Sequence, residues 1–234
     1  MNIKYKTLIF LMFIFSLLKQ LSAHELKKDE INSIMKNFIL DNPELIEKTL
    51  HNLNLERSEK NFKMAMTDLK KVPNPKLQNT NSNITIFEFF DYNCGYCKSV
   101  MQNIFNIYEN DKKVDIVFVE YPILSNSSLT AAMASLAANN QNKYFEFHAK
   151  LMKHSGKIDD NLILSIAKNL KIDIKKLKSD YSNKKLMLII NKNRELANKF
   201  NIRGTPAFII GNKIYPGAMS EKDIEKAIAL ERKK

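Results

Sequence analysis

Two cysteines, Cys94 and Cys97, are the first candidates for chemistry in this chain, because they are its only thiols and lie three residues apart. They follow an apolar stretch, and the residues after them repeat at helical spacing, so the pair lies where a strand ends and a helix begins. Free backbone N–H groups and the positive end of the helix dipole favour a thiolate there. We therefore predict that Cys94 is a nucleophile. Cys97 faces the same side one turn later and is predicted to resolve a mixed disulfide formed at Cys94.

Three other interpretations of the cysteine pair are open. A structural disulfide across so few residues would remove little chain entropy and would stabilise the fold poorly. Zinc or copper would need further ligands, and the four histidines of the chain include no H-x-x-x-H pair beside the cysteines. Chance spacing is the third interpretation, and features farther along the chain oppose it. We expect neither a metal nor another cofactor.

Glu88 is an acid within the otherwise apolar stretch 84–90 that leads to Cys94. If it is buried, its pKa is raised, and it can exchange a proton with Cys97 through a water molecule. The alternative is a glutamate at the edge of a strand that points into solvent, because glutamate is rarely fully buried. The sequence thus predicts an acid–base partner for the second thiol.

A proline marks a second part of the predicted site. Gly204, Thr205 and Pro206 precede a late apolar segment, where a proline cannot lie within a central strand. A cis bond before Pro206 would turn the chain and leave backbone groups of Thr205 free to pair with an extended substrate. A trans proline that starts an edge strand is the commoner case in proteins, but the C-x-x-C context favours cis. Thr205 and Pro206 are therefore predicted to bind substrate.

Three aromatic residues lie near these motifs in the sequence. Tyr96 lies between the two cysteines, Tyr92 shortly before them, and Phe208 shortly after the proline. We predict that they form part of an apolar surface for unfolded substrates, with a place in the core as the alternative. Tyr96 is the one that we assign to substrate binding.

The elements that position these residues follow from the hydrophobic pattern. Residues 84–90 and 114–121 are short and rich in β-branched and aromatic residues, which is typical of strands buried on both faces. The helical pattern between them completes a βαβ unit with parallel strands and a right-handed crossover. A long segment, about 126–201, then has almost only helical character.

Strand character returns after that helical segment. Residues 206–210 are followed by a two-residue turn and a short strand, and a last helix begins at Ser220. The order of elements matches an α/β protein with a thioredoxin-like fold and a helical insertion. We expect this domain to occupy residues 84–234.

The N-terminal third has a different character. Residues 1–23 read as a signal peptide, because an apolar run follows lysines and ends on small residues before Ala23. An uncleaved anchor would look similar. Residues 24–71 form a predicted helical arm, in which Ile31 and Phe38 lie on one helical face and a second helix begins at Pro43. The broken apolar stripe of that second helix packs either on the main core or, as we favour, on other protomers. Residues 72–83 contain two prolines and read as a linker.

The formal charge of +12 makes nucleic acid a partner to consider. The lysines, however, alternate with acids and asparagines, and no arginine-rich cluster or aromatic stacking motif accompanies them. We therefore expect a solvated basic surface and no nucleic-acid partner.

The segment from Phe87 to Cys97, FEFFDYNCGYC, together with the distant Gly204-Thr205-Pro206-Ala207-Phe208, closely resembles the DsbA family of bacterial disulfide oxidoreductases. The resemblance implies that Cys94 attacks, Cys97 resolves, Glu88 assists proton transfer, and the Thr205-Pro206 loop binds substrate. It also implies residence in the periplasm, no prosthetic cofactor, and a membrane redox partner that reoxidises or reduces the dithiol. The substrates would be unfolded or misoxidised exported proteins.

Two departures from the strongly oxidising members concern the direction of turnover. The dipeptide between the cysteines is Gly95-Tyr96, and a threonine precedes the proline, as in the isomerase DsbC and in ScsC. The arm at residues 24–71 is similar to the oligomerisation segments of ScsC-like proteins, which implies a homo-oligomer. An oligomeric isomerase or reductase therefore stands beside the oxidase. A holdase without redox turnover and a copper-binding protein are the remaining alternatives.

Overall fold

A computed structural model describes residues 27–233. The predicted signal peptide, residues 1–23, lies outside the described residues. The chain divides between Arg57 and Ser58 into two compact units. In the described part, no helix is both long enough and apolar enough to cross a membrane.

The first unit is helical. Helix α1 spans Lys28–Asp41, and α2 spans Pro43–Leu69, so its second half belongs to the other unit. Helix α2 begins at Pro43, and the carbonyl of Asn42 accepts the backbone N–H of Leu45 at 3.2 Å. No residue of α1 is buried, and its apolar side chains, such as Phe38, are about half exposed. This unit therefore displays an apolar stripe.

The second unit is built on a five-stranded sheet with the order β1-β3-β2-β4-β5. Strands β2 and β3 are parallel neighbours in its centre, and the other pairs are antiparallel. The strands span Lys76–Leu77 (β1), Ile84–Phe90 (β2), Val114–Glu120 (β3), Ala207–Ile210 (β4) and Lys213–Pro216 (β5). The predicted βαβ unit and late hairpin are confirmed.

Helices cover both faces of this sheet. Helix α3 is the crossover between β2 and β3, five helices separate β3 from β4, and α9 ends the described chain. Their bounds are Gly95–Asn110 (α3), Asn126–Asn139 (α4), Tyr144–Lys153 (α5), Asp160–Asn169 (α6), Ile174–Tyr181 (α7), Lys184–Lys199 (α8) and Glu221–Glu231 (α9). The thioredoxin-like fold with a helical insertion is thus confirmed.

Two apolar clusters hold these layers together. Phe90 and Phe118 face α3 and the helical insertion, whereas Phe89 and Val119 face α8 and the end of α2. Successive strand residues point to opposite faces. Because helices cover both faces of the sheet, the central strands are apolar at nearly every position, as the sequence indicated.

Three features differ from the sequence prediction. The predicted linker contains β1, whose two residues pair with Val117 and Ile116, because a strand that short leaves no periodic signal. The end of the predicted arm packs into the second unit, where Ala65 and Leu69 are 1% exposed. Helix α7 lies within the predicted helical segment but gave no separate signal there, because its mean hydropathy is low and it has one buried residue, Leu177.

Candidate active site

Cys94 occupies the N-cap of α3, where the chain leaves β2 and turns into the helix. The backbone N–H of Cys97 donates to the sulfur of Cys94 at 3.3 Å, and the Cys94 thiol donates to the carbonyl oxygen of Thr205 at 3.2 Å. Both cysteines are thiols in this structure. A helix N-cap offers N–H groups that stabilise an anionic sulfur, so the position suits the predicted nucleophile.

The two thiols differ in their access to solvent. Cys94 is 6% exposed and Cys97 is completely buried. Burial raises the pKa of Cys97 well above its ordinary value, and the neighbouring Cys94 and Glu88 raise it further. Cys97 therefore holds its proton, whereas Cys94 keeps a small contact with solvent.

Glu88 lies in the middle of β2, between Phe118 of β3 and Phe208 of β4. It is 2% exposed, so the solvent-facing alternative is wrong. Burial raises its pKa from 4.5 to about 8. A carboxyl with that pKa is poised to exchange a proton near neutral pH with a thiol that also faces this core.

Asp91 fixes the loop between β2 and the cysteines. Its carboxylate accepts the backbone N–H of Asn93 at 2.8 Å through one oxygen. The other oxygen accepts those of Ile123 and Leu124, which follow β3, at 2.8 and 2.9 Å. Asn93 in turn donates to three serine hydroxyls at the start of α4. The loop that carries Cys94 is thereby tied to the chain after β3.

The Thr205-Pro206 peptide bond is cis, as the sequence predicted. The loop places the Thr205 carbonyl at the sulfur of Cys94, and Pro206 is followed directly by β4. The hydroxyl oxygen of Thr205 is buried and has no hydrogen-bond partner among the described residues. The structure thus brings Cys94, Cys97 and the loop with Thr205 into one site.

The predicted aromatic surface forms only in part. Tyr96, which lies between the two cysteines, is 72% exposed. Tyr92 and Phe208 are buried, so the core alternative is correct for both. The sequence around Tyr92 and Phe208 did not reveal this, because an aromatic residue beside a motif can face either the core or the solvent.

A buried polar cluster beside the active-site loop was not predicted. The hydroxyls of Tyr92 and Tyr144 both donate to one carboxyl oxygen of Glu120, at 2.9 and 2.8 Å. His148 Nδ1 lies 3.0 Å from the Tyr92 hydroxyl. Burial raises the pKa of Glu120 to about 8 and lowers that of His148 to about 3. The cluster connects the loop before Cys94 to β3 and to α5.

Within residues 27–233, no group of three or more His, Cys, Asp or Glu side chains is placed to hold a metal ion. In the described part of the chain, no third His, Cys, Asp or Glu side chain joins the sulfurs of Cys94 and Cys97 to form such a group.

Comparison with known proteins places the chain in a family. The family model described as Thioredoxin matches residues 70–229, which is more than half of the chain. The structure of the thiol-disulfide exchange protein alpha-DsbA2 from Wolbachia pipientis is 31% identical, with a TM-score of 0.69. It covers 75% of this chain, and the match covers 96% of that protein.

Two further proteins are similar to the chain, one in sequence and one in fold. A Bacillus cereus protein named probable disulfide bond formation protein D is 28% identical over 165 residues, which are 64% of this chain and 75% of that protein. Proteus mirabilis ScsC in a compact conformation shares the fold, with a TM-score of 0.64 and 23% identity over 88% of this chain and 98% of that one. The chain belongs to the thioredoxin family and is a DsbA-like thiol:disulfide oxidoreductase.

Proposed function

We propose that the protein exchanges disulfides with other exported proteins through Cys94 as the attacking sulfur and Cys97 as the resolving sulfur. The observation that carries this assignment is the position of Cys94 at the N-cap of α3, against the Thr205 carbonyl, with Cys97 buried behind it. A substrate sulfur can approach Cys94. The buried Cys97 can then react only with a disulfide that Cys94 has formed.

Each direction of exchange follows from the same pair. When the pair is oxidised, a substrate thiolate attacks Cys94, and Cys97 leaves as a thiolate and takes up a proton. A second substrate thiolate then attacks the substrate sulfur of the mixed disulfide, so the substrate gains a disulfide and Cys94 leaves as a thiolate. When the pair is reduced, the Cys94 thiolate attacks a substrate disulfide, and Cys97 or a substrate thiol resolves the mixed disulfide.

Glu88 supplies the acid–base group that Cys97 needs in both directions. Cys97 has a strongly raised pKa, so its thiolate is a poor leaving group unless a proton arrives as it departs. Glu88 faces the same core and has a pKa of about 8, so it holds a proton at neutral pH and can accept one back. Thr205, Pro206 and Tyr96 bind the substrate around the nucleophile.

Trapping of the mixed disulfide tests the division of roles. Cys97→Ser lacks the resolving thiol. We expect its Cys94 thiolate to attack the cysteine of an unfolded test protein that carries an activated mixed disulfide, to release the activating thiol, and to accumulate as a covalent complex with that protein. Cys94→Ser should form none, because its remaining thiol is buried. Equal trapping by both variants would show that the assignment is wrong.

The cellular setting is part of the proposal. The apolar run at residues 7–18, with lysines before it and Ala23 at its end, supports export to the periplasm. A dithiol that oxidises or reduces exported substrates needs a membrane redox partner to restore it, because each such turnover leaves the pair in the other state. Fractionation of the source cells, with the mass of the exported chain, tests both export and cleavage after Ala23.

The first unit supports a homo-oligomer and with it the isomerase alternative. Helix α1 exposes a row of apolar side chains at helical spacing, and a soluble helix normally buries such a row. These side chains are Ile31, Ile34, Met35, Phe38 and Ile39, each between 43% and 57% exposed. A second copy of the same helix would cover them through a self-complementary contact.

Light scattering tests the oligomer, and refolding assays test the direction. We expect the mature chain to be larger than a monomer, and Phe38→Glu together with Ile34→Glu to convert it to a monomer. An oligomer that rescues a protein with scrambled disulfides would be an isomerase. Formation of disulfides in a reduced protein without such rescue would assign the oxidase role.

A further inference from the structure

A groove of about 460 Å³ lies beside the active site, between the chain that leads into Pro206 and the end of β5. Thr205 forms part of its wall, and the carbonyl of the same residue lies 3.2 Å from the sulfur of Cys94. A hydrogen bond of 2.8 Å from the Gly217 N–H to the Pro206 carbonyl joins its two sides. A polypeptide whose cysteine bonds to Cys94 therefore has the groove within reach of its neighbouring residues.

The lining of this groove has a distinct chemistry. Several of its lining residues are apolar, Ile202, Pro206 and Ile214 among them. Arg203 is the one charged side chain among the residues that line it, and no acidic side chain joins it there. Such a groove combines a surface for an apolar side chain with a single positive charge.

Arg203 is held in place without being neutralised. Its Nε donates to the side-chain oxygen of Asn201 at 3.0 Å, which orients the guanidinium. Arg203 is exposed, and no carboxylate in the described part of the chain forms an ion pair with it. By contrast, Arg232 makes a two-pronged pair with Asp111 at 2.7 and 3.0 Å. The donors of Arg203 that face away from Asn201 remain available to an anion.

We propose that this groove binds the substrate segment beside the reacting cysteine and that Arg203 selects segments with an acidic residue two or three positions from that cysteine. The inference rests on the proposed function, since it names the substrate class of the same site. Arg203 precedes Thr205 by two residues, a reach of about 7 Å in extended chain, which matches two or three substrate residues.

The expected selectivity is modest because the arginine is exposed. Exposed ion pairs are worth little, which corresponds to about a two- to fivefold preference in rate at low salt. The preference should fade at high salt, where the screening length shortens to about 3 Å at 1 M. An acid far from the cysteine should give no such preference.

Rates with activated peptides test the proposal on the full-length reduced chain. Each peptide carries one cysteine as a mixed disulfide with thionitrobenzoate, so attack by Cys94 on the peptide sulfur releases the coloured thiol. The peptides carry a glutamate or a lysine two positions from the cysteine, on either side, or a glutamate eight positions away. The readout is the ratio of second-order rate constants for the near-glutamate and near-lysine peptides.

Matched variants separate the groove from the general positive charge. Arg203→Gln should lower the ratio about two- to fivefold, and Arg203→Lys should retain most of it. Lys168→Gln removes a charge from an exposed position on α6 and should leave the ratio unchanged. An unchanged ratio in Arg203→Gln, an equal fall in Lys168→Gln, or the same preference for the distant glutamate would each overturn the proposal. Failure of the unaltered chain to release the coloured thiol from any peptide would instead contradict the proposed function.

Discussion

The sulfur of Cys94 lies 3.2 Å from the carbonyl oxygen of Thr205, although 111 positions separate the two residues in the chain. The contact joins the N-terminus of α3 to the cis-proline loop before β4. It exists because the carboxyl end of β2 and the amino end of β4 meet at the same edge of the sheet, where Phe89 pairs with Ala207. Cys94 and the cis-proline loop therefore form one site.

Replacement of Glu88 by glutamine should change how stability depends on pH. The pKa of Glu88 is about 8 in the folded protein and 4.5 ordinarily, so the folded state keeps a proton that the unfolded state releases. Stability is therefore lost as the pH rises from 4.5 towards 8. Glu88→Gln removes this loss, and we expect a gain on the order of 3 kcal/mol at pH 8 and almost none at pH 4.5. Urea unfolding of both proteins at pH 4.5 and at pH 8 measures this gain in the free energy of unfolding.

The same variant should be slower in disulfide exchange. Without the carboxyl, no group delivers a proton to Cys97 as it leaves, and general acid–base catalysis contributes about 100-fold or more. Glu225→Gln, at an exposed position on α9, is the matched control and should alter neither stability nor rate. Exchange at the normal rate in Glu88→Gln over pH 6 to 9 would remove Glu88 from the mechanism.

Glu120 should be important for stability. In Glu120→Ala, the hydroxyls of Tyr92 and Tyr144 lose their common acceptor in a buried site. We expect a loss of about 2 to 5 kcal/mol from the unpaired hydroxyls and the cavity. Glu120→Gln keeps an acceptor oxygen and should cost much less. Denaturant unfolding of both variants decides this, and equal stability of Glu120→Ala and the unaltered chain would contradict it.

Asp91 should hold the active-site loop. Asp91→Ala leaves the backbone N–H groups of Asn93, Ile123 and Leu124 without an acceptor, which should destabilise the protein by about 2 to 4 kcal/mol. Hydrogen exchange at Ile123 and Leu124 should accelerate more than exchange in α9. Uniform acceleration throughout the domain would mean that Asp91 has no local role.

The end of α2 should belong to the catalytic unit. A chain that begins at Ser58 keeps the contact between Phe62 and Phe200, whose rings lie 5.3 Å apart, and the buried Leu69. We expect it to melt close to the full-length chain. A chain that begins at residue 72 exposes this face of the sheet and should lose several kcal/mol, about 2 for each large apolar side chain removed. Equal melting temperatures for the two shortened chains would contradict this.

The parts of the site that the sequence predicted are those with a local signal. Cys94 and Cys97 lie three apart at a strand–helix boundary, and Pro206 interrupts a strand pattern, so each is recognisable from its own neighbours. Glu88 is recognisable because an acid among apolar residues departs from the pattern of a buried strand. These signals need no knowledge of distant contacts.

The parts that the sequence did not predict depend on distant contacts. Tyr92, Glu120, Tyr144 and His148 come from a loop, a strand and a helix, and each residue alone has many ordinary explanations. Strand β1 is too short to show an alternating pattern, and it exists because β3 offers an edge to pair with. The boundary inside α2 follows from which residues the sheet covers, and an uninterrupted helical pattern does not reveal it.

The most direct test of the central claim is the redox equilibrium of the two thiols in a series of glutathione buffers, followed by mass spectrometry. We predict a two-electron transition in which the chain loses two hydrogen atoms as Cys94 and Cys97 join, and which is absent in Cys94→Ser. A chain that keeps both thiols across the whole series, or that forms only a stable glutathione adduct, would contradict the oxidoreductase mechanism.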